Sequence, residues 1–166
     1  MLSRFEQLEA WVAQINLICA RVSGWLILAI ALLCCYGVFT RYVLGDPDTW
    51  SYEVAAYLLA FVVYFAIGNA LQQNIHVRVD LLQELFPGRF ARITGLVGDA
   101  LCLGFLWLFF GKVWAVFHDS LTRGRIDETT LGWPVAAVQW VMPFGVGLTM
   151  LVQLIMLIGR LRRINQ

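Results

Sequence analysis

Four long stretches without charge dominate this chain. Val22 to Thr40 and Val54 to Ile75 carry no Asp, Glu, Lys or Arg, Ile93 to Gly111 carries only Asp99, and Thr129 to Gly159 is again free of charge. A bilayer core about 30 Å thick needs roughly 20 apolar residues of helix, and each stretch is about that long or longer. Across the 166 residues, 60% are hydrophobic and 14% charged, against about 25% charge in a soluble domain. Buried helices of a small soluble domain are rarely apolar on every side for so long. The expected fold class is an all-α integral membrane protein with four transmembrane helices, plus N-terminal and cytoplasmic-loop amphipathic interfacial helices.

The expected single domain divides as follows. Residues 4–20 read as an amphipathic helix at the membrane surface or on a partner, with a plain lead-in to the first span as the alternative. Phe5, Leu8, Val12 and Ile15 recur at three- and four-residue steps, while Arg4, Glu6, Glu9 and Gln14 take other faces. The first span covers 22–44 and ends at Gly45-Asp46-Pro47-Asp48, a turn signal. Its position, its length beyond an h-region of about 7–15 residues, and the lack of a small-residue cleavage site argue against a cleaved signal peptide. The second span covers 54–72. Residues 76–86 are expected to form a short interfacial helix stopped by Pro87-Gly88. The third span covers 93–117, and the fourth lies within 133–159.

Orientation follows the placement of Lys and Arg. With the N-terminus inside, the inner side holds Arg4, Arg21, Arg78, Arg89, Arg92, Arg160, Arg162 and Arg163, and the outer side Arg41, Lys112, Arg123 and Arg125. Both termini are therefore expected in the cytoplasm of a bacterial inner membrane. The outer loops also hold Asp46, Asp48, Glu53, Asp119, Asp127 and Glu128, read as solvated loops or as a docking aid for a soluble partner.

Chemistry has little to stand on. The two histidines, His76 and His118, fall on opposite sides of the membrane and cannot share a haem iron. Cys34 and Cys35 are adjacent within a span, on different helix faces, and Cys19 and Cys102 also lie in or beside spans. None suits thiol exchange, which needs exposed sulfur. No phosphate loop, metal-ligand spacing or Ser/His/Asp grouping occurs, so no enzyme activity and no cofactor are expected. The net charge of +1 and the absence of a basic aromatic run give no reason to expect nucleic acid.

Asp99 is the one acid well inside a span. An intramembrane carboxylate is a functional candidate, but Asp99 stands only about 10 Å along a helix from Arg92. A structural pairing and a coupling-ion role both stay open. Gly95, Gly98 and Gly104 thin the same helix and favour close approach of a neighbour. Pro134 suits a helix start. Pro143 lies inside the fourth apolar stretch and predicts a kink or break. A single broken helix lacks the paired counterpart expected of a substrate site.

Three regions together resemble the small membrane subunit, the DctQ-type component, of tripartite ATP-independent periplasmic (TRAP) transporters. The first is Phe39-Thr-Arg-Tyr-Val-Leu-Gly45 with Trp50-Ser-Tyr-Glu53 and Ala55-Ala-Tyr57. The second runs from Gly68-Asn-Ala70 through His76-Val-Arg-Val-Asp-Leu-Leu82. The third is Leu131-Gly-Trp-Pro134 with Trp140-Val-Met-Pro-Phe-Gly145. Trp140 replaces a frequent tyrosine and Gly132 a small aliphatic residue. The resemblance implies a scaffold subunit without a substrate site of its own. Its implied partners are a large membrane subunit, which carries organic acid and sodium, and a periplasmic substrate-binding protein. Arg41 and Glu53 are expected to pair beside Trp50, and His76 and Asp80 to anchor the interfacial helix. The competing expectations are a self-sufficient homodimeric transporter with Asp99 as coupling acid, and a membrane anchor for a redox enzyme.

Overall fold

A computed structural model describes the backbone of residues 4–73 and 89–164, and the side chains of 7–73 and 94–162. Helix α1 covers Arg4–Phe39 and continues into a π-helical turn, Thr40–Leu44. Helix α2 covers Ser51–Gln72, α3 Arg89–Thr122, α4 only Ala136–Gln139, and α5 Val141–Ile164. Four segments are long and apolar enough to cross a membrane: Gln7–Leu44, Ser51–Gln72, Thr94–Thr122 and Ala136–Arg162. Among the described residues the one strand-like pairing is an isolated bridge between Ile126 and Pro134. The chain is a multi-pass membrane protein.

The helices form an open row rather than a closed bundle. In order of contact, α1 packs on α2, α2 on α5, and α5 on α3; among the described residues α1 and α3 do not meet. The central helix accordingly buries most of itself. In its most apolar window 44% of α5 is buried inside the molecule, against 6% for α1 and 11% for α3.

Each end helix holds its neighbour through one narrow seam. On α1 the covered positions are Val12, Ala13, Asn16, Cys19, Ala20, Ser23, Leu26, Ala29, Ile30, Leu33, Gly37 and Thr40, and within them the line from Val12 through Asn16, Cys19, Ser23, Leu26, Ile30, Leu33 and Gly37 to Thr40 alternates four- and three-residue steps. That period of 3.5 is the coiled-coil signature, and it winds helices left-handedly. On α3 the buried line is Asp99, Leu106, Val113 and Ser120, spaced by sevens. Lipid tails give helices no hydrophobic reason to associate, so such seams rely on small residues and polar contacts. Small and polar groups do mark the contact points. The Ser23 hydroxyl lies 3.2 Å from the Val62 carbonyl oxygen, and a Cβ on Gly37 would meet Ser51 Oγ at 2.8 Å. Asn16, fully buried, presses its side chain against Gly68.

These seams revise the expected N-terminal segment. Residues 4–20 continue the first span without interruption, and Leu8, Trp11 and Ile15 are exposed. The inward face is instead the line through Val12 and Asn16. The expected interfacial helix at 76–86 lies outside the described residues. Helix α3 is longer than the expected 93–117 at both ends. Of its glycines, Gly95 meets Arg160, whereas Gly98 and Gly104 face open space.

The fourth span breaks where Pro143 dictates, but three residues earlier. Proline lacks the N–H that would bond the Gln139 carbonyl, and its ring crowds that group. The helix stops at Gln139, turns at Trp140, and restarts at Val141. Pro143 thereby falls in the first turn of α5, where a missing N–H costs little. Edge-to-face contacts of Trp140 with Phe61 and of Phe65 with Phe144 brace the break, at 5.7 and 6.0 Å between ring centroids.

Candidate functional site

Three polar constructions stand out from this apolar frame. The first closes the corner between α1 and α2. Gly45, at φ 67°, reverses the chain in a conformation that favours glycine. Asp48 Oδ2 accepts the Ser51 N–H at 2.7 Å, and its Oδ1 lies 3.1 Å from the Thr40 hydroxyl. The Ser51 side chain foremost, with the Ser51 N–H and Thr40, holds the Asp48 carboxyl below its ordinary value of 3.8. A carboxylate with a depressed folded value stabilises above its unfolded value and loses that contribution as pH falls through the folded one. The corner should therefore keep its form at neutral pH and loosen only below pH 3.8. Hydrogen exchange at the Ser51 amide, followed against pH, measures this.

The second construction straps the loop after α3 onto α2. The backbone N–H groups of Thr130 and Leu131 donate to the two carboxylate oxygens of Glu53 at 3.0 and 3.2 Å. One turn along α2, the Tyr57 hydroxyl donates to Asp127, and its ring stacks on Trp133 at 6.2 Å. Reciprocal backbone bonds then tie Asp127 to Trp133 and Val135 to Arg125, both at 2.9 Å. Asp119 pairs with both Arg123 and Arg125, at 2.5 and 2.6 Å. Glu53 is thus the tie between two parts of the chain far apart in sequence. Replacing it with alanine should cut exchange protection at the Thr130 and Leu131 amides by roughly ten-fold, since both lose a charge-assisted acceptor. Unchanged protection would show that Tyr57 and Trp133 suffice.

The third construction joins α3 to α5 inside the membrane. Arg160 Nε stands 3.0 Å from Asp99 Oδ2, and Gln153 Nε2 lies 3.2 Å from the Asp99 carbonyl oxygen and 3.4 Å from Oδ1. The Arg160 guanidinium occupies the space a side chain at Gly95 would need.

The expected site residues fare unequally. Arg41 and Glu53 do not pair: Glu53 is taken by the 130–131 amides, and Arg41 lies over the Tyr42 ring at 5.6 Å. Trp50 packs against Tyr36, at 5.7 Å between centroids, and precedes the first turn of α2. Pro134 bridges Ile126, and its carbonyl accepts the Ala137 N–H at 2.9 Å, opening the turn into α4. Asp99 gains Arg160, a partner from the far end of the chain. His76 and Asp80 lie outside the described residues. Tyr57 entered only through the family resemblance, and Gln153 and Asn16 were not singled out, although each interrupts or flanks an apolar run with a hydrogen-bonding group. That interruption was the available signal.

The family model for the DctQ component of the tripartite ATP-independent periplasmic transporters matches residues 30–163. The chain belongs to the DctQ family. One relative of this DctQ chain is the C4-dicarboxylate TRAP transporter small permease protein DctQ of Vibrio cholerae. It is 26% identical over 125 residues, which cover 73% of this chain and 54% of the relative. Another is the sialic acid TRAP transporter permease protein SiaT of Haemophilus influenzae, 30% identical over 99 residues, covering 60% of this chain and 16% of that one. The DctQ chain thus spans about half the length of the first relative and a small part of the second. The matched region holds the loop strap, the Asp99 pairing and the broken fourth span. These are holding devices within a transporter subunit, and they bind helices and loops to one another.

Proposed function

We propose that this DctQ chain is the static small permease subunit of an inner-membrane uptake system, and that it flanks a longer membrane polypeptide. The observation that carries this reading is the open helix row. Its end helices α1 and α3 pack mainly on one neighbour each and leave most of their apolar surface to lipid or to another chain's helices. The SiaT relative supports the same arrangement. The segment of it that matches is 16% of its length, so a region like this one is embedded there in a much longer permease.

In this reading the longer subunit carries an organic acid with a sodium gradient, and a periplasmic binding protein delivers the solute. The names of both relatives contain acids, a dicarboxylate and a sialic acid. The basic C-terminal end, Arg160 to Arg163, favours a cytoplasmic C-terminus. An even number of spans then brings the N-terminus to the same side and places the strapped loop toward the periplasm. Asp48, Glu53, Asp119 and Asp127 are engaged within the chain, so docking of a soluble protein draws on shape and on exposed aromatics such as Tyr52. Asp99 is engaged by Arg160 and Gln153, which favours a holding role over that of a coupling acid.

Co-purification from native membranes in mild detergent tests the proposal. A large hydrophobic polypeptide should accompany the tagged chain, and solute uptake in vesicles should require both. Uptake by the chain alone would overturn the scaffold reading.

A further inference from the structure

The outward side of α3 carries a cation within the membrane span, where an ionisable group is costly without a partner. Lys112 is exposed, next to the buried seam residue Val113, and forms no ion pair among the described residues. The polar end of α3, where Asp119 pairs with Arg123 and Arg125, comes seven residues later, about 10 Å along the axis. The span begins at Thr94, eighteen residues earlier and about 27 Å away.

Lysine ordinarily escapes lipid by extending its ammonium to the headgroups. Helix direction works against that escape here. Each Cα–Cβ bond tilts toward the N-terminus of its own helix, and long side chains follow it. Lys112 therefore leans back along α3, away from the nearer surface, and its four-carbon stem has to reverse that lean to climb out.

Among the described residues none answers the charge. There α3 packs only on α4 and α5. The stretches Val22 to Thr40, Val54 to Ile75 and Thr129 to Gly159 hold no acid, and Asp99 is held by Arg160. A second copy of the chain brings the same charge-free spans, so it supplies no free carboxylate at this depth. The surface around Lys112 suits a helix. Leu101, Phe105 and Leu108 are exposed and lead to Lys112 by alternating four- and three-residue steps, the spacing by which one helix packs along another.

We propose that this face of α3 docks a helix of the longer permease polypeptide, and that an Asp or Glu of that helix lies against Lys112. The proposal rests on the scaffold reading above and narrows it to one side of the helix row. Each charge is costly by itself in lipid, so the pair fixes which helix docks and at what depth.

Photocrosslinking in native membranes, with the whole transporter expressed, tests this. A benzophenone-bearing residue replaces Leu108, one turn from Lys112. It should form an adduct with a large hydrophobic polypeptide, on an apolar stretch that contains Asp or Glu. Lys112→Met should lower the yield of co-purified large polypeptide about ten-fold, as the loss of one charge-assisted contact allows, and Lys112→Arg should keep it near wild type. The melting temperature of the small chain by itself should not change in either variant. Adducts with lipid only, with a second copy of this chain, or with a stretch lacking an acid would overturn the proposal. So would undiminished co-purification of Lys112→Met. A lower melting temperature for that variant would put the lysine's partner inside this chain and overturn it as well. The scaffold reading survives those results while the wild-type chain still brings down the large polypeptide, and failure of that co-purification would overturn both.

Discussion

Gly145→Ala should weaken the DctQ chain by about 2 kcal/mol, in the range of overpacked cores, and prevent α2 from seating on α5. A Cβ at Gly145 would collide with the Tyr64 carbonyl group, with its carbon at 2.8 Å, and would also meet Tyr64 Cβ at 2.8 Å. Two of these contacts are backbone, which cannot rotate away as a side-chain tip can. Relief therefore requires moving α2 as a whole, and α2 is also the helix on which α1 hangs. Denaturant-induced unfolding in mixed micelles measures the loss. Gly104→Ala supplies the comparison. Nothing lies within 4 Å of a Cβ there, and alanine favours a helix over glycine by about 1 kcal/mol. Equal stability of the two variants would show that the α2–α5 approach is not close-packed.

Asp99→Ala is expected to cost roughly 2 kcal/mol. Breaking a buried ion pair commonly costs about 3–5 kcal/mol because a charge is left without a partner. The side chains here are 11% exposed for Asp99 and 26% for Arg160, so part of that penalty is relieved when Arg160 turns toward the interface. Removing both charges should undo most of the damage, since apolar replacements of a buried pair are often neutral or better. The double variant Asp99→Leu with Arg160→Met is thus expected to approach wild-type stability. The same pair of proteins separates two roles. A holding residue lets the double variant support uptake once stability returns, whereas a coupling acid leaves it inactive despite normal folding.

The four spans were legible because exclusion of charge over some twenty residues has few other causes. The packing faces were harder to read, for a physical reason. Phe5, Leu8, Val12 and Ile15 form a stripe that water would drive inward, but a bilayer rewards no such burial. There the covered line carries Val12, Asn16, Cys19, Ser23 and Gly37, while Leu8 and Ile15 are exposed. The stripe reads as the face turned to the membrane or a partner, and the inward face is found from its small and polar residues. The partner of Glu53 was hidden for a different reason. Nothing in local spacing distinguishes Arg41 across a turn from two backbone amides at 130 and 131, because backbone donors leave no mark in a sequence. Pro143 did announce a break, and the missing bond to the Gln139 carbonyl placed it at Trp140.

A row joined mainly between neighbours, with a minor contact of α1 on α5, imposes an order on biosynthesis. The α1–α2 hairpin can form as soon as α2 has been inserted. Among the described helices α3 has no mate made before it, because its seam faces α5, which follows it in the chain. Until then Asp99 waits in lipid without Arg160. Truncations before Arg160 should accordingly be recognised by membrane quality control as orphans, while the first hairpin is already complete.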